Sequence, residues 1–196
     1  MIESIRTLLD SLAVSFDLPI LDWIMANIWC PVLDVAMPII TLLGDAGIFW
    51  IAIAVLFMIM KKHRKTGIAM MLALMMGLVI CNIWLKPTIA RIRPYDFQMQ
   101  YFLKEIPLLA GAMHDFSFPS GHTIASFEAA TVLLLNSPAL GIPAMILAVL
   151  IAFSRLYLYV HYPTDVICSI LLGTAFAFLG NFLAGKIMAK LPEKLK

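Results

Sequence analysis

Charged side chains are scarce in this sequence. They make up 13% of its 196 residues, against roughly 25% in a typical soluble domain. So few charges cannot cover the surface of a soluble protein, which excludes a soluble globular domain and a disordered chain. The net charge of +2 is too small to indicate a nucleic-acid partner. Hydrophobic residues reach 62% and the mean hydropathy is +0.96, which predicts an all-α, polytopic membrane helix bundle.

Cysteine is also rare. The three cysteines, Cys30, Cys81 and Cys168, all lie in apolar stretches of the sequence. Their number and spacing exclude a disulfide framework and match no zinc site. We therefore expect no structural zinc site.

Long uncharged runs define the expected membrane spans. Residues 66–85 and 166–185 are two uncharged runs of twenty residues, which is about the length that crosses the hydrocarbon core. Another span is expected from about residue 41 to residue 60. Residues 119–154 contain a single acidic residue, Glu128. Turn-forming residues at 136–138 and 141–143 divide this stretch into two further spans.

A sixth span is predicted over residues 18–43, and we expect it to be bent because its interior contains Asp22, Asp34, Pro31 and Pro38. Before it, Glu3, Asp10 and Asp17 recur every seventh residue, while apolar side chains occupy another face. This pattern predicts an N-terminal amphipathic helix that lies along the membrane interface. Residues 1–196 are expected to form a single membrane-embedded domain.

Lysine and arginine are unevenly divided between the two sides of the membrane. Nine lie on the side with the chain ends and the loop between spans two and three, and five lie on the other side. The positive-inside rule makes the first side cytoplasmic, so both termini are expected inside and the loops of residues 86–165 outside. The nine are Arg6, Lys61, Lys62, Arg64, Lys65, Lys186, Lys190, Lys194 and Lys196, and the five are Lys86, Arg91, Arg93, Lys104 and Arg155.

Ionisable residues gather at the outer ends of spans three to six. Such groups are costly at the membrane surface and are usually functional. For any single one of these residues, snorkelling to the lipid headgroups is about as good an explanation as a functional role. Snorkelling does not explain the whole set. Cations without matching carboxylates favour an anion, and phosphate oxygens suit the planar fork of arginine. The set consists of Lys86, Arg93, Arg155, His122, His161 and Asp165.

The residues before His122 have the pattern of a helix start. Ser117 is the expected N-cap, and Pro119 is acceptable in the first turn. Free N–H groups at that end, with Gly121 allowing a close approach, would admit an anion. No carboxylate lies near His122 in the sequence, so this histidine is free to act as a general acid.

A second helix start is expected at Pro163. It places Asp165 in the first turn and His161 just before the helix. Asp165 can then accept a hydrogen bond from one nitrogen of His161, which leaves the other nitrogen free as a nucleophile. Two histidines, an orienting aspartate and three cations make a coherent site for phosphoryl transfer.

Three motifs carry a family resemblance. They are Lys86-x6-Arg93-Pro94, then Pro119-Ser120-Gly121-His122, then Ser154-Arg155-x5-His161-x3-Asp165. In order and at all eleven positions, they resemble the three-part signature of the type 2 phosphatidic acid phosphatase superfamily. The resemblance covers residues 86–165. Vanadium haloperoxidases and glucose-6-phosphatase belong to the same superfamily.

The resemblance implies a role for each signature residue. His161 would be the nucleophile that forms a phosphohistidine, Asp165 would orient it, and His122 would protonate the leaving group. No divalent metal and no other cofactor would be needed, in keeping with the absence of a carboxylate cluster in the sequence. The phosphoryl oxygens would be held by Lys86, Arg93, Arg155, Ser120 and Gly121.

The resemblance to short bacterial enzymes also implies an inner-membrane phosphatase acting on a lipid phosphate or diphosphate in the bilayer. Undecaprenyl diphosphate is the first choice of substrate, because it must lose a phosphate on the outer face. Phosphatidylglycerophosphate and phosphatidic acid remain open, and no motif excludes a phosphotransferase. A transporter is the rival from another class, but it would place polar residues at the bilayer midplane rather than at one surface.

Several features fall outside the signature. His114 and Asp115 form a second possible catalytic pair, which matches nothing in the family pattern. Glu128 is expected to be a protonated acid bonded to a neighbouring helix, with a proton relay as the alternative. The apolar outer loop, residues 95–118, is either a lid or entry for lipid tails or an interfacial anchor. Helix packing or contacts in a homo-oligomer are expected at Gly173, Ala175 and Ala177.

Overall fold

The computed structural model describes residues 2–190 and 192, and over these residues the chain is helical and contains no strand. The predicted all-α class is therefore confirmed. A π-helical segment, Ala13–Asp17, joins the first two helices, and another, Gly77–Leu85, joins the fifth and sixth. The α-helices are α1 (Ile2–Leu12), α2 (Leu18–Asn27), α3 (Pro31–Leu42), α4 (Ile48–Ile59), α5 (Arg64–Met76), α6 (Lys86–Ile89), α7 (Pro94–Phe102), α8 (Gly121–Asn136), α9 (Pro138–Tyr157) and α10 (Pro163–Lys190).

Four helical stretches of the described chain are long and apolar enough to cross a membrane. The expected number of six is not reached by this measure, because α2 has 10 residues and α8 has 16. Two residues of the basic count, Lys194 and Lys196, lie outside the described residues. The four stretches are Pro31–Ile59, Lys61–Phe102, Pro138–Tyr157 and Pro163–Lys190.

The helix breaks agree only partly with the turn residues in the sequence. α8 ends at Asn136 and α9 begins at Pro138, as predicted. The second predicted break, at residues 141–143, is wrong, because Pro143 lies inside α9. A proline so near the start of a helix removes one backbone hydrogen bond, and the helix continues past it. The predicted loop of residues 95–118 was also wrong in part, since α7 occupies its first third.

The core is built around α8. α10 packs against both α5 and α8, and α9 packs along α8. A Cβ at Gly173 would lie 2.9 Å from the carbonyl oxygen of Ile124 in α8, and one at Gly180 would lie 2.7 Å from that of Ala69 in α5. The glycines of α10 therefore let three helix backbones approach closely, so helix packing within the chain accounts for Gly173.

The turn between α9 and α10 is held from two sides. Tyr159 adopts a left-handed backbone conformation with φ of 57°. Its hydroxyl donates to Asp22 of α2 at 2.7 Å and accepts from Gln98 of α7 at 2.8 Å. Burial raises the pKa of the Tyr159 hydroxyl, which keeps it a hydrogen-bond donor. The N-terminal helices and α7 thereby fix the turn that carries His161.

Candidate active site

The first signature segment places two cations on one carboxylate. α6 ends at Ile89, and Ala90 takes a left-handed conformation with φ of 51°, so the chain turns before Arg93. The side chains of Lys86 and Arg93 nevertheless meet at the carboxylate of Asp115, which accepts a hydrogen bond from each. Arg93 also donates to the carbonyl oxygen of Val160 at 2.7 Å, beside His161.

Asp115 is a partner that the motif analysis did not identify in this role. Burial acts to raise its pKa, but the hydrogen bond and charge of Lys86 and the charge of Arg93 prevail and hold the pKa below its ordinary value. The side chain of Asp115 is 55% exposed, so solvent screens these contacts. Its neighbour His114 is exposed. The Asp115 carboxylate therefore occupies a position in which an anion can bind both Lys86 and Arg93.

His161 is buried, with 1% of its surface exposed. Its Nε2 lies 3.4 Å from a guanidinium nitrogen of Arg93. Burial, followed by the charges of Arg93, Arg155 and Lys86, lowers the pKa of His161 well below its ordinary value. The ring is therefore neutral near pH 7, and a neutral ring can present a lone pair toward the cations.

Asp165 lies where the helix start at Pro163 was predicted to place it, in the first turn of α10. Its Oδ2 accepts a hydrogen bond from the backbone N–H of Tyr162 at 3.0 Å and lies 3.5 Å from Nδ1 of His161. That separation is longer than an ordinary hydrogen bond. Nδ1 of His161 has no hydrogen-bond partner among the described residues, so a small rotation of the ring would complete the expected pair.

His122 lies in the first turn of α8, and it has a carboxylate partner after all. Its Nε2 lies 2.7 Å from Oδ1 of Asp45, which sits in the short turn before α4. A Cβ on the preceding residue, Gly44, would lie 2.8 Å from the imidazole ring. No carboxylate lies near His122 in the sequence, and this partner is brought to it because the turn between α3 and α4 packs against α8.

Ser120, rather than Ser117, occupies the N-cap position of α8. Ser117 instead contacts the loop after α6, because its backbone N–H donates a hydrogen bond to the carbonyl oxygen of Arg91 at 2.8 Å. The backbone N–H of Ser120 donates to the hydroxyl of Ser169 at 2.9 Å, and that hydroxyl donates to the carbonyl oxygen of Asp165 at 2.6 Å. Ser169 thus links the second signature segment to the third.

Gly121 and Arg155 complete the predicted phosphate-binding set. A Cβ at Gly121 would lie 2.9 Å from the amide oxygen of Asn82, so glycine is needed there for packing as well as for access. Arg155 is 1% exposed and donates to the hydroxyl of Thr41 at 2.6 Å. Its Nε has no hydrogen-bond partner in the described part of the chain. A buried guanidinium nitrogen without a partner favours an anion nearby.

An apolar groove leads away from these residues. It has a volume of about 460 Å³ and is lined by side chains of α4, α5 and α8, with Lys86 and His122 among its polar members. Glu128 lies six residues beyond His122 on α8, or about 9 Å along the axis. It is buried, and its Oε1 has no hydrogen-bond partner within residues 2–190. The groove therefore has a polar end, at Lys86 and His122, and a mainly apolar interior.

Four acidic or basic residues around the site were not assigned from the sequence motifs. Three of them contact signature residues, and the fourth contacts Arg91. Their partners lie far away in the sequence, which no local spacing indicates. The turn residues around position 45 gave the one available signal, since they predict a tight turn without saying what it packs against. The four are Asp17, Asp45, Arg91 and Asp115.

Comparison with known proteins places the chain in a family. The PAP2 superfamily matches residues 66–187. An undecaprenyl-diphosphatase of Sulfolobus acidocaldarius is 37% identical over 132 residues, which cover 66% of this chain and 61% of that protein. Phosphatidylglycerophosphatase B of Bacillus subtilis is 34% identical over 166 residues, covering 76% of this chain and 74% of that protein.

The fold agrees with this match. The crystal structure of Aquifex aeolicus LpxE superposes with a TM-score of 0.72 at 27% identity, covering 85% of this chain and 94% of that one. A PAP2-type phosphatidylglycerolphosphate phosphatase of Bacillus subtilis superposes with a TM-score of 0.64 at 30% identity, covering 82% and 80%. The helical bundle and the matched residues together show that this chain belongs to the PAP2 superfamily.

Proposed function

We propose that this protein is a membrane phosphatase that removes phosphate from a lipid phosphate or diphosphate. One observation carries the proposal. Lys86, Asp115 and His122 line the apolar groove. Arg93 binds the same Asp115 and lies 3.4 Å from Nε2 of His161, so an anionic headgroup and a hydrocarbon chain can be held together. A transporter would need its ionisable residues at the bilayer midplane. Here they lie around the short turns that connect the helices.

The reaction would proceed in two steps. Nε2 of His161 attacks phosphorus, the bond to the leaving oxygen breaks, and His122 gives that oxygen a proton. Water then attacks the phosphohistidine, and His122 takes up the proton that the water loses. Inorganic phosphate leaves, and His161 is restored. The lowered pKa of His161 supports its role, because only the neutral ring can attack.

The cations would stabilise the charge that builds up on the phosphoryl oxygens. Lys86, Arg93 and Arg155 would supply three positive charges, and the guanidinium of Arg93 lies 3.4 Å from Nε2 of His161. First-turn N–H groups of α8 lack partners within the helix and can face the same oxygens. Ser120 and Gly121 stand at that helix start. With these donors, the proposed reaction would need no divalent metal.

The membrane arrangement is part of the proposal. Six spans, with α1 lying along the interface, would place both termini in the cytoplasm and the site on the outer side of a bacterial inner membrane. Exposed apolar side chains on α3, α4, α9 and α10 support burial in lipid. The whole chain would act as a single domain, and association into a homo-oligomer stays a prediction.

Undecaprenyl diphosphate is the proposed substrate. The name of the Sulfolobus relative supports this choice, while the Bacillus phosphatidylglycerophosphatase keeps a glycerolipid phosphate as the second candidate. Both present a terminal phosphate at a headgroup and a hydrocarbon body that suits the groove. The same site would serve a phosphotransferase if an alcohol replaced water in the second step.

A phosphate-release assay tests the proposal. Purified protein in liposomes is given undecaprenyl diphosphate, phosphatidylglycerophosphate or phosphatidic acid, with EDTA present. We expect phosphate release from at least one of them, loss of release in His161→Ala, and retained release in His114→Ala, a control whose histidine is exposed outside the signature. Release that requires added Mg²⁺, or solute flux without any phosphate release, would contradict the proposal.

A further inference from the structure

A buried arginine outside the signature holds the far side of Asp165. Nη1 of Arg91 donates to Oδ1 of Asp165 at 2.5 Å, and Nη2 donates to Oδ2 of Asp17 at 2.8 Å. The side chains of all three residues are at most 2% exposed. One guanidinium therefore bridges two carboxylates in a site closed to water.

This arginine has no freedom to turn elsewhere. Nη1 also donates to the hydroxyl of Thr164 at 2.8 Å, and Nη2 donates to the carbonyl oxygen of Leu9 at 2.9 Å. Its guanidinium carbon lies 3.7 Å from the centroid of the Tyr162 ring. The fork is fixed in its plane by an aromatic face and by acceptors from three separate segments.

Asp17 is tied to the same helix start. Its Oδ1 accepts a hydrogen bond from the backbone N–H of Thr164 at 2.9 Å, and its Oδ2 accepts one from the Thr164 hydroxyl at 2.7 Å. It thus provides the first turn of α10 with an acceptor that the helix itself lacks. Asp17 belongs to the π-helical segment after α1, well before the residues that match the family.

The two carboxylate oxygens of Asp165 therefore have different neighbours. Oδ1 is held by Arg91, while Oδ2 lies 3.5 Å from Nδ1 of His161. Because a carboxylate is planar, holding one oxygen sets the direction of the other. The positive charge of Arg91 beside Asp165 also favours the ionised carboxylate, which can accept a hydrogen bond from the Nδ1–H of His161.

We propose that Arg91 is a positioning residue for the His161–Asp165 pair, and that Asp17 of the N-terminal segment holds Arg91 in place. The inference rests on the proposed function, since it assigns His161 as the nucleophile. It gives the segment before the family match a part in the chemistry. Neither Arg91 nor Asp17 touches the substrate, and both act through Asp165.

Two inhibitors separate positioning from folding. Vanadate accepts a fifth ligand and so bonds the nucleophile, whereas inorganic phosphate meets mainly the cations. In Arg91→Gln, kcat and the affinity for vanadate should fall together by about 10- to 100-fold, the usual cost of losing an orienting partner. The inhibition constant of phosphate should stay within about twofold. The ratio of the two inhibition constants does not depend on the fraction of folded enzyme.

Matched variants complete the test. Arg91→Lys keeps the charge and loses the fork, so it should restore part of the ratio. Asp17→Asn should shift the ratio in the same direction as Arg91→Gln but by less. Arg6→Gln is the control, because Arg6 ties α1 to Thr88 and Ile89 at 2.9 and 2.7 Å without touching Asp165. It should leave the ratio unchanged.

The outcomes are distinct. If the wild-type protein releases phosphate and Arg91→Gln lowers activity with the ratio unchanged, Arg91 is merely structural and the inference is wrong. If Arg91→Gln does not fold, an unchanged ratio in both Arg91→Lys and Asp17→Asn overturns the inference equally. A wild-type protein that releases no phosphate from any lipid overturns the proposed function, and the inference with it.

Discussion

Asp115 accepts a hydrogen bond from Lys86, although Lys86 is one of the cations expected to hold phosphate. The same carboxylate accepts from Arg93. A carboxylate and a phosphate offer these donors the same kind of acceptor. In the free protein Asp115 therefore stands where the substrate's phosphoryl oxygens are expected, and it must give way before they bind.

Replacing Asp115 by asparagine should tighten phosphate binding. The variant removes the charge that competes for the two cations, while the shape of the side chain is kept. A half-exposed ion pair is typically worth about 1 kcal/mol or less, so we expect the inhibition constant of inorganic phosphate to fall by roughly threefold to fivefold. Competitive inhibition of lipid-phosphate hydrolysis measures it.

Glu105→Gln is the control for this variant. Glu105 is exposed in the same loop and loses the same unit of charge. Its substitution should leave the inhibition constant within about twofold. Weaker phosphate binding in Asp115→Asn would mean that Asp115 arranges the cations for the substrate instead of competing with it.

His161 should remain neutral in mildly acidic solution. Burial and the charges of Arg93, Arg155 and Lys86 lower its pKa from the ordinary value of 6.5. A lowered pKa means that the proton leaves at lower pH, so the ring stays neutral when exposed histidines are already charged. Nitrogen NMR of protein labelled at histidine, with His161→Asn to assign the signal, should show a neutral ring at about pH 6. A midpoint at or above 6.5 would contradict the described site.

Asp45 should matter only where the leaving group needs a proton. Its carboxylate lies 2.7 Å from Nε2 of His122 and favours the protonated ring that acts as the acid. Asp45→Asn should lower kcat/KM on phosphatidic acid by about tenfold or more, within the range that general acids contribute. On an activated aryl phosphate the loss should be much smaller. An equal loss on both would assign Asp45 to folding or to phosphate binding.

Cysteine labelling tests which side of the membrane the site faces. In a variant without native cysteines, one cysteine is introduced as Glu105→Cys, at an exposed position of the loop that also contains Asp115. Another is introduced as Lys62→Cys, in the exposed basic turn between α4 and α5. An impermeant maleimide should label the first in intact spheroplasts and the second only after permeabilisation. The reverse pattern would invert the proposed topology.

Local patterns predicted the parts of the site that depend on local geometry. The helix start at Pro163 follows from the fixed φ of proline and its missing N–H, and it placed His161 and Asp165 correctly relative to α10. The break between Asn136 and Pro138 was predictable for the same reason. The signature residues could be identified because their spacing is specific to a family.

Contacts between distant segments could not be predicted in this way. Asp45 and His122 are 77 positions apart, and Arg91 and Asp17 are 74 apart. Such pairs depend on how helices cross, which the hydropathy of each helix does not determine. The predicted number of six spans is not confirmed for a related reason, because a turn at residues 45–47 and π-helical segments alter the helix lengths on which that number depends.

The response of the two histidines to the leaving group tests the central claim most directly. kcat/KM is measured for His161→Ala and His122→Ala on phosphatidic acid, on a lipid diphosphate and on an activated aryl phosphate. We predict that His161→Ala abolishes turnover of all three, because no phosphohistidine can form. His122→Ala should lose about 10²- to 10⁴-fold on the monoester and distinctly less on the diphosphate, whose phosphate leaving group has a second pKa of about 6. Activity of His161→Ala on the aryl phosphate, or an equal loss in His122→Ala on every substrate, would contradict the assigned roles.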